Sequence, residues 1–279
     1  MTKIKNSTVL ITGGASGIGK LMGRKALEQA ASHLIIWDIN EKQMLETSAE
    51  LGKFGSVHTY RVNIADLNDI NSAFEQMQSD GLTVDILINN AGIVEGSYFW
   101  ENTHEDIDKT IQINTTALMH IALKCLPHMM ARNRGHIVNI SSAASLVGNP
   151  KMAVYAASKW AVTGWSESLR LELEQVNSNV KVTTVTPSYI GTGMFEGVKT
   201  HWIQPIVTPE KAAILTIEGI RRNSVFVRMP KSVYLTPILK GILPTRWFDT
   251  LVGKYLGVYS SMNNFKGHSI KKEEKSTTE

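Results

Sequence analysis

A tyrosine and a lysine four residues apart, in Tyr155-Ala-Ala-Ser-Lys159, say most about chemistry in this sequence. On a helix, residues four apart share a face, so the phenol and the ammonium point the same way. A phenol titrating at about 10 is a poor acid or base at neutral pH. A fixed neighbouring cation favours the phenolate and draws its pKa toward the working range. Ser142 lies 13 residues upstream, just past the apolar run that ends Asn139-Ile140. If that run is a strand, the Ser142 hydroxyl stands at the carboxyl end of a sheet, where open α/β sheets bind ligands. Asn89-Asn90-Ala91-Gly92 follows another apolar run, and Asn114 falls in the helical pattern after it.

A second group of residues suits a phosphate ligand. Thr12-Gly13-Gly14-Ala15-Ser16-Gly17-Ile18-Gly19 joins an apolar run to a helical pattern. Glycines at 13, 17 and 19 allow a tight turn and close approach to a pyrophosphate resting on the helix N-terminus; an ordinary strand-to-helix turn is the alternative. Asp38 closes the second apolar run, 19 residues after Gly19. A carboxylate there accepts hydrogen bonds from both ribose hydroxyls of an adenosine and repels a 2′-phosphate. Ala15 and Ser16 supply no cation for such a phosphate, so NAD is expected over NADP. A strand-end turn or a helix cap would also use an aspartate at this point.

The elements that must hold these residues alternate regularly. Thr8–Thr12, Leu34–Trp37, Asp85–Asn89, His136–Ile140 and Val180–Thr186 read as buried strands, the last closed by Pro187. Val57–Val62 alternates apolar and polar residues as a half-covered strand does, and Val225–Val227 is a seventh candidate. Helix-length patterns separate them, the first expected from Ile18 to Ala31. Seven strands so spaced predict an α/β fold, a doubly wound parallel sheet covered on both faces. Without repeats or a linker, residues 1–265 read as one domain. Within it, 229–265 form a C-terminal helical extension, and 266–279 are expected to be a polar, disordered tail.

Composition bounds the function classes. The 279 residues are 43% hydrophobic and 19% charged, enough to bury a core and too apolar for a disordered chain. Cys125 is the lone cysteine, so no internal disulfide can form, and a reducing, cytoplasmic setting is expected. No signal peptide or membrane-spanning run is evident. The eight histidines form no H-x-x-x-H or H-E-x-x-H pattern, so no metal site is expected. Residues 199–272 carry 12 Lys/Arg against 3 Asp/Glu, whereas residues 1–198 carry 16 against 19. That basic region is either a solvated face or a contact for phosphates, lipid headgroups or an acidic partner. Residues 194–202 either line a pocket or pack a lid.

Together these motifs make the chain resemble the short-chain dehydrogenase/reductase family. TGGASGIG, NNAG, Ser142 and YAASK stand in the family's order and spacing, and the resemblance covers about residues 5–230. It implies a single-domain Rossmann fold and an oxidoreductase moving a hydride between nicotinamide and an alcohol or carbonyl substrate. By resemblance, Tyr155 is the general acid/base, Lys159 lowers its pKa and contacts the nicotinamide ribose, Ser142 donates to the substrate carbonyl, and Asn114 holds a relay water. The cofactor contacts so implied are Gly13, Ser16, Gly17, Ile18, Gly19, Asp38, Asn63, Ile64, Asn90, Ala91, Gly92, Tyr155, Lys159, Pro187, Ile190 and Thr192.

Two departures stand out. Asn63-Ile64 replaces the family's Asp-Val, and Pro187-Ser188 replaces its Pro-Gly. The segment Pro187–Phe195 otherwise resembles the branch containing retinol and 17β-hydroxysteroid dehydrogenases, which implies a lipophilic substrate. A 3-oxoacyl thioester or sugar reductase, and a non-catalytic NAD-binding scaffold, are the alternatives. The resemblance further implies a homodimer or homotetramer and no nucleic-acid partner. It leaves open whether residues 199–272 touch a membrane surface or build a subunit interface.

Overall fold

The computed structural model describes residues 1–202 and 205–266. The chain runs β1 (Thr8–Thr12), α1 (Gly17–Glu28), β2 (His33–Asp38), α2 (Glu41–Leu51), β3 (Ser56–Arg61), α3 (Leu67–Ser79) and β4 (Ile86–Asn89). It continues through α4 (His104–Ile111), a π-helical turn (Gln112–Thr116), α5 (Ala117–Ala131), β5 (His136–Ile140) and α6 (Ala153–Gln175). Then come β6 (Lys181–Pro187), α7 (Pro209–Arg222) and β7 (Phe226–Met229). The extension holds α8 (Leu235–Ile242) and α9 (Thr245–Phe248), which runs on as a π-helical segment (Asp249–Tyr255).

All seven strands form one parallel sheet in the order β3-β2-β1-β4-β5-β6-β7. Period two sends alternate residues of β1 to opposite faces. Val9 and Ile11 pack with Met22, Ala26, Ile217 and Ile220 of α1 and α7. Leu10 packs with Ile70, Ile121 and Leu169 of α3, α5 and α6. Both faces are therefore covered, which explains why the central strands are apolar runs rather than alternating ones. The chain reverses direction across the sheet between β1 and β4, and such a switch point opens a crevice at the strands' carboxyl ends.

Strand limits lie within a residue or two of those expected from the sequence. The first helix is the larger difference. It starts at Gly17 and stops at Glu28, because Ala30 takes a left-handed conformation (φ 61°) and turns the chain into β2. Lys266, expected in the tail, donates its N–H to the Glu196 carbonyl at 3.0 Å. The rest of the expected tail, 267–279, lies outside the described residues.

At the opposite end of the sheet, His136 is fully buried on β5. Its Nε2 lies 2.8 Å from Thr183 Oγ1, whose own hydrogen goes to the Ser224 carbonyl. Thr2 Oγ1 sits 2.9 Å from Nδ1 and donates its own hydrogen to Asn223 Oδ1 at 2.7 Å. Burial, with Lys181 nearby, lowers the His136 pKa to about 3. The unfolded chain takes up that proton below about 6.5, so acid favours unfolding. Stability is expected to fall by roughly 1.4 kcal/mol per pH unit from about 6.5 downward, or about 2 kcal/mol by pH 5. Urea unfolding at pH 7.5 and pH 5 checks this. A His136→Gln variant that kept the whole pH dependence would refute it.

Candidate active site

The crevice at the strand ends is a cleft of about 580 Å³. It is lined by Gly13, Ser16, Gly17, Ile18, Asp38, Asn63, Ile64, Asn90, Ala91, Gly92, Ser142, Tyr155, Lys159, Pro187, Ile190 and Thr192. Sixteen of the expected site residues thus come together from elements spread over most of the chain. Gly19 and Asn114 do not line it. A Cβ on Gly19 would collide with the Gly13 carbonyl and the Asn90 amide, so Gly19 lets helix and loop approach each other.

The glycine loop is held from behind. Thr12 Oγ1 accepts from the N–H groups of Asn90 and Ala91, at 3.0 and 3.1 Å. The Asn90 amide donates to the carbonyls of Thr12 and Gly13, each at 3.0 Å. Asn90 is therefore a clamp that spaces β1 from β4. Gly17 has φ 53°, and a Cβ there would meet only Thr192, at 3.7 Å, so the loop leaves a hollow. Ser16 precedes α1 but makes no side-chain cap bond, and the first turn holds no acidic residue. Helices α2, α3 and α7 are capped by Asn40, Asp66 and Thr208, whereas α6, like α1, has no side-chain cap. The open amides of α1 thus face the cleft, where a phosphate would complete them.

Asp38 combines both readings of its position. Its carboxylate accepts from Ala15 N–H at 3.1 Å and Asn40 N–H at 3.0 Å while lining the cleft. Those bonds fix the two oxygens and leave further lone pairs toward the cleft. Trp37, Ile39, Gln43 and Val62 also line this end, and sequence reasoning missed them. Trp37 is fully buried, and its indole N–H has no hydrogen-bond partner among the described residues. Trp37 and Ile39 carried a signal as neighbours of Asp38, and Val62 as the neighbour of Asn63; Gln43 carried none.

At the other end, Ser141 holds the backbone of α6 by donating to the Lys159 carbonyl at 2.9 Å. Lys159 is buried, and its Nζ donates to the Ile140 carbonyl at 2.9 Å, 5.8 Å from the centre of the Tyr155 ring. Burial lowers the Lys159 pKa to about 8. Tyr155 is buried too, and desolvation pushes its phenol up to about 12; a hydrogen bond with Ser142 offsets this only in part, and Tyr189 adds to the rise. Burial dominates at Tyr155, and the Lys159 ammonium is turned to the Ile140 carbonyl.

Asn114 sits in the π-helical turn between α4 and α5. Its Oδ1 accepts from Ile93 N–H at 2.8 Å, and its Nδ2 donates to the Ile93 carbonyl at 2.9 Å and Ser158 Oγ at 3.1 Å. The amide is spent on joining the segment after β4 to α6.

The wall beside Tyr155 is apolar. Ala144, Met152, Tyr155, Ala156, Val198 and Met262 cluster with Val94, Tyr189, Phe195 and Phe265. Phe195 meets the Tyr155 ring edge-on at 6.1 Å between centroids. Met262 and Phe265 come from the end of the extension. Residues 194–198 therefore do both expected things: Met194 and Phe195 line the cleft, and Val198 packs beneath the extension. Among the described residues no cluster could hold a metal ion. Buried Cys125, its thiol raised to about 12 by burial, lies away from the cleft.

Residues 7–202 match the family model described as short chain dehydrogenase. Mouse (Mus musculus) epidermal retinol dehydrogenase 2 is 35% identical over 273 residues, covering 96% of this chain and 88% of that protein. Human (Homo sapiens) estradiol 17-beta-dehydrogenase 11 is 31% identical over 265 residues, covering 94% of this chain and 88% of that protein. Among solved structures, a short chain dehydrogenase/reductase from Burkholderia phymatum in complex with NAD superposes with a TM-score of 0.78. It is 23% identical and covers 91% of this chain and 97% of its own, a likeness of fold.

Proposed function

The chain belongs to the short-chain dehydrogenase/reductase family, in its retinol and 17β-hydroxysteroid dehydrogenase-like branch, and from that premise we propose that it interconverts a lipophilic alcohol and its carbonyl at Tyr155. It is an NAD(P)-dependent oxidoreductase. The observation that carries the substrate class is the apolar wall of Ala156, Phe195, Met262 and Phe265 around a buried phenol. Such a wall favours a long chain or ring system by about 25 cal/mol per Å² buried.

The cofactor, when bound, supplies the hydride acceptor or donor. The Gly13–Gly17 hollow and the open amides of α1 suit its pyrophosphate. Asp38 suits its adenosine ribose, and Trp37, Ile39 and Ile64 suit the adenine. In carbonyl reduction, Tyr155 gives its phenolic proton to the oxygen that becomes the hydroxyl, and Ser142 hydrogen-bonds the same oxygen. In oxidation the phenolate takes that proton back, and the Lys159 charge favours the phenolate over the neutral form. Asn114 is a positioning residue, acting through Ile93 and Ser158. Residues 1–265 serve as one domain, and assembly into a homodimer or homotetramer belongs to the same reading. Leu123, Met130 and Leu171 offer outward apolar contacts on α5 and α6.

NAD is the expected cofactor, by about tenfold to a hundredfold in efficiency, the worth of a hydrogen bond to a charged group. Steady-state kinetics with both cofactors measures this, and Asp38→Asn should narrow the gap. Equal or better efficiency with NADP would remove Asp38 from the role. With either cofactor, kcat/KM should rise with substrate chain length. A peak on small polar alcohols would overturn the lipophilic reading.

A further inference from the structure

The extension is apolar on two sides. Leu239, Leu243, Phe248 and Val252 face inward and cluster with Val147, five residues past Ser142. On α8, Leu235, Ile238 and Ile242 face outward at the spacing of one helix face, and Ile242 is 75% exposed. On α9 and its π-helical continuation, Trp247, Leu251 and Tyr255 repeat every four residues and also face outward. Trp247 is 70% exposed and Tyr255 77%. No described part of this chain covers either row. Soluble surfaces tolerate single exposed apolar residues, but two aligned rows mark a contact face.

We propose that this face of α8 and α9 docks on the surface of an anionic bilayer, and that the substrate reaches Tyr155 from the membrane. Charge supports this occupant over a second copy. Exposed Lys231, Arg246 and Lys254 flank the rows. Asp249 is the sole acidic residue between 231 and 255, and it already accepts from the Tyr259 hydroxyl at 2.6 Å and lies 3.7 Å from Arg246. A two-fold interface would set this basic patch against its own copy, cations against cations. Anionic headgroups complement the same cations, and tryptophan and tyrosine favour the boundary between water and acyl chains. No helix among the described residues is long and apolar enough to cross a membrane, so the contact is with its surface.

Position links the face to the site. Lys240 Nζ donates to the Leu146 carbonyl at 3.1 Å and sits 4.2 Å from the Trp160 ring centre, tying α8 to the segment after Ser142. Downstream of the same helices, Met262 and Phe265 form part of the wall around Tyr155. The docking face and the apolar chamber thus share one stretch of chain. The route from the membrane rests on the lipophilic substrate proposed above, whereas the docking itself does not.

The test uses the full chain with phosphatidylcholine vesicles, with and without phosphatidylserine. Co-sedimentation is expected on the anionic vesicles and to weaken at high salt. Ile242→Ser/Trp247→Ser/Tyr255→Ser, all at exposed positions, should cut binding roughly tenfold or more. It should leave kcat/KM on a short water-soluble alcohol unchanged, and lower it on a long-chain alcohol supplied in the vesicles. Arg246→Glu/Lys254→Glu should remove the preference for phosphatidylserine. No binding to anionic vesicles, or binding that the triple variant retains, overturns the proposal. So does a dimer in sedimentation velocity that the triple variant dissociates. Vesicle binding without turnover of any lipophilic alcohol leaves the docking standing and sinks the substrate reading instead.

Discussion

Tyr155→Phe is expected to lower turnover by about 10² to 10⁴ while leaving the fold and cofactor affinity in place. The substitution removes one oxygen. The ring stays in the cluster with Met152, Ala156 and Met262, and keeps its edge-on contact with Phe195. What disappears is the proton held by a phenol that burial has raised to about 12. With it goes the phenolic proton beside Ser142, whose own hydroxyl is far too weak an acid to replace it. Turnover measured by nicotinamide absorbance, beside cofactor titration of the same protein, separates the two effects. A variant within about tenfold of the parent would show that Tyr155 is not the acid/base. An equal loss of cofactor affinity would point to a structural role instead.

Lys159→Met should cost about 10² or more in kcat and also change the shape of the pH profile. Methionine fills a similar volume without the ammonium, so the 2.9 Å bond to the Ile140 carbonyl is lost along with the charge. Burial lowers Lys159 to about 8, so the free enzyme holds a cation there below that pH and loses it above. The wild-type kcat/KM for cofactor reports the free enzyme and should decline as pH rises through about 8. The variant should lack that inflection. If both proteins show the same profile, the inflection belongs to another group. If the variant melts many degrees lower, the lysine chiefly supports β5 and α6.

Features of the site written within a few residues of sequence were legible, and those made by long-range packing were not. The Tyr155–Lys159 spacing, the glycine loop and Asp38 each encode their geometry locally, through a helical turn, backbone freedom and a strand end. Seven strands were legible because a parallel sheet covered on both faces demands apolar runs. Gln43 and Ile113 line the cleft through the way α2 and the π-helical turn pack, for which a polar or apolar residue in a helical pattern gives no sign. Met262 and Phe265 reach Tyr155 across more than a hundred residues. The electrostatics at Tyr155 were not legible for a related reason. Spacing places the ammonium on the right face, but only the folded structure turns it to the Ile140 carbonyl and removes water from both groups.

The cleft draws its lining from residue 13 to residue 195, so no short stretch of the chain can make it alone. A ligand that recognises only the assembled arrangement stabilises the folded state by RT ln(1 + [L]/Kd), about 2.7 kcal/mol at a hundredfold excess over Kd. That is a substantial share of the roughly 5–15 kcal/mol that holds an ordinary protein folded. Cofactor supply thereby becomes a variable of protein lifetime as well as of rate. In a cofactor-depleted setting the chain visits its unfolded state about a hundred times more often, with the proteolysis and aggregation that follow. Substitutions far from the cleft that cost one or two kcal/mol can stay silent while it is filled, and show themselves when it empties.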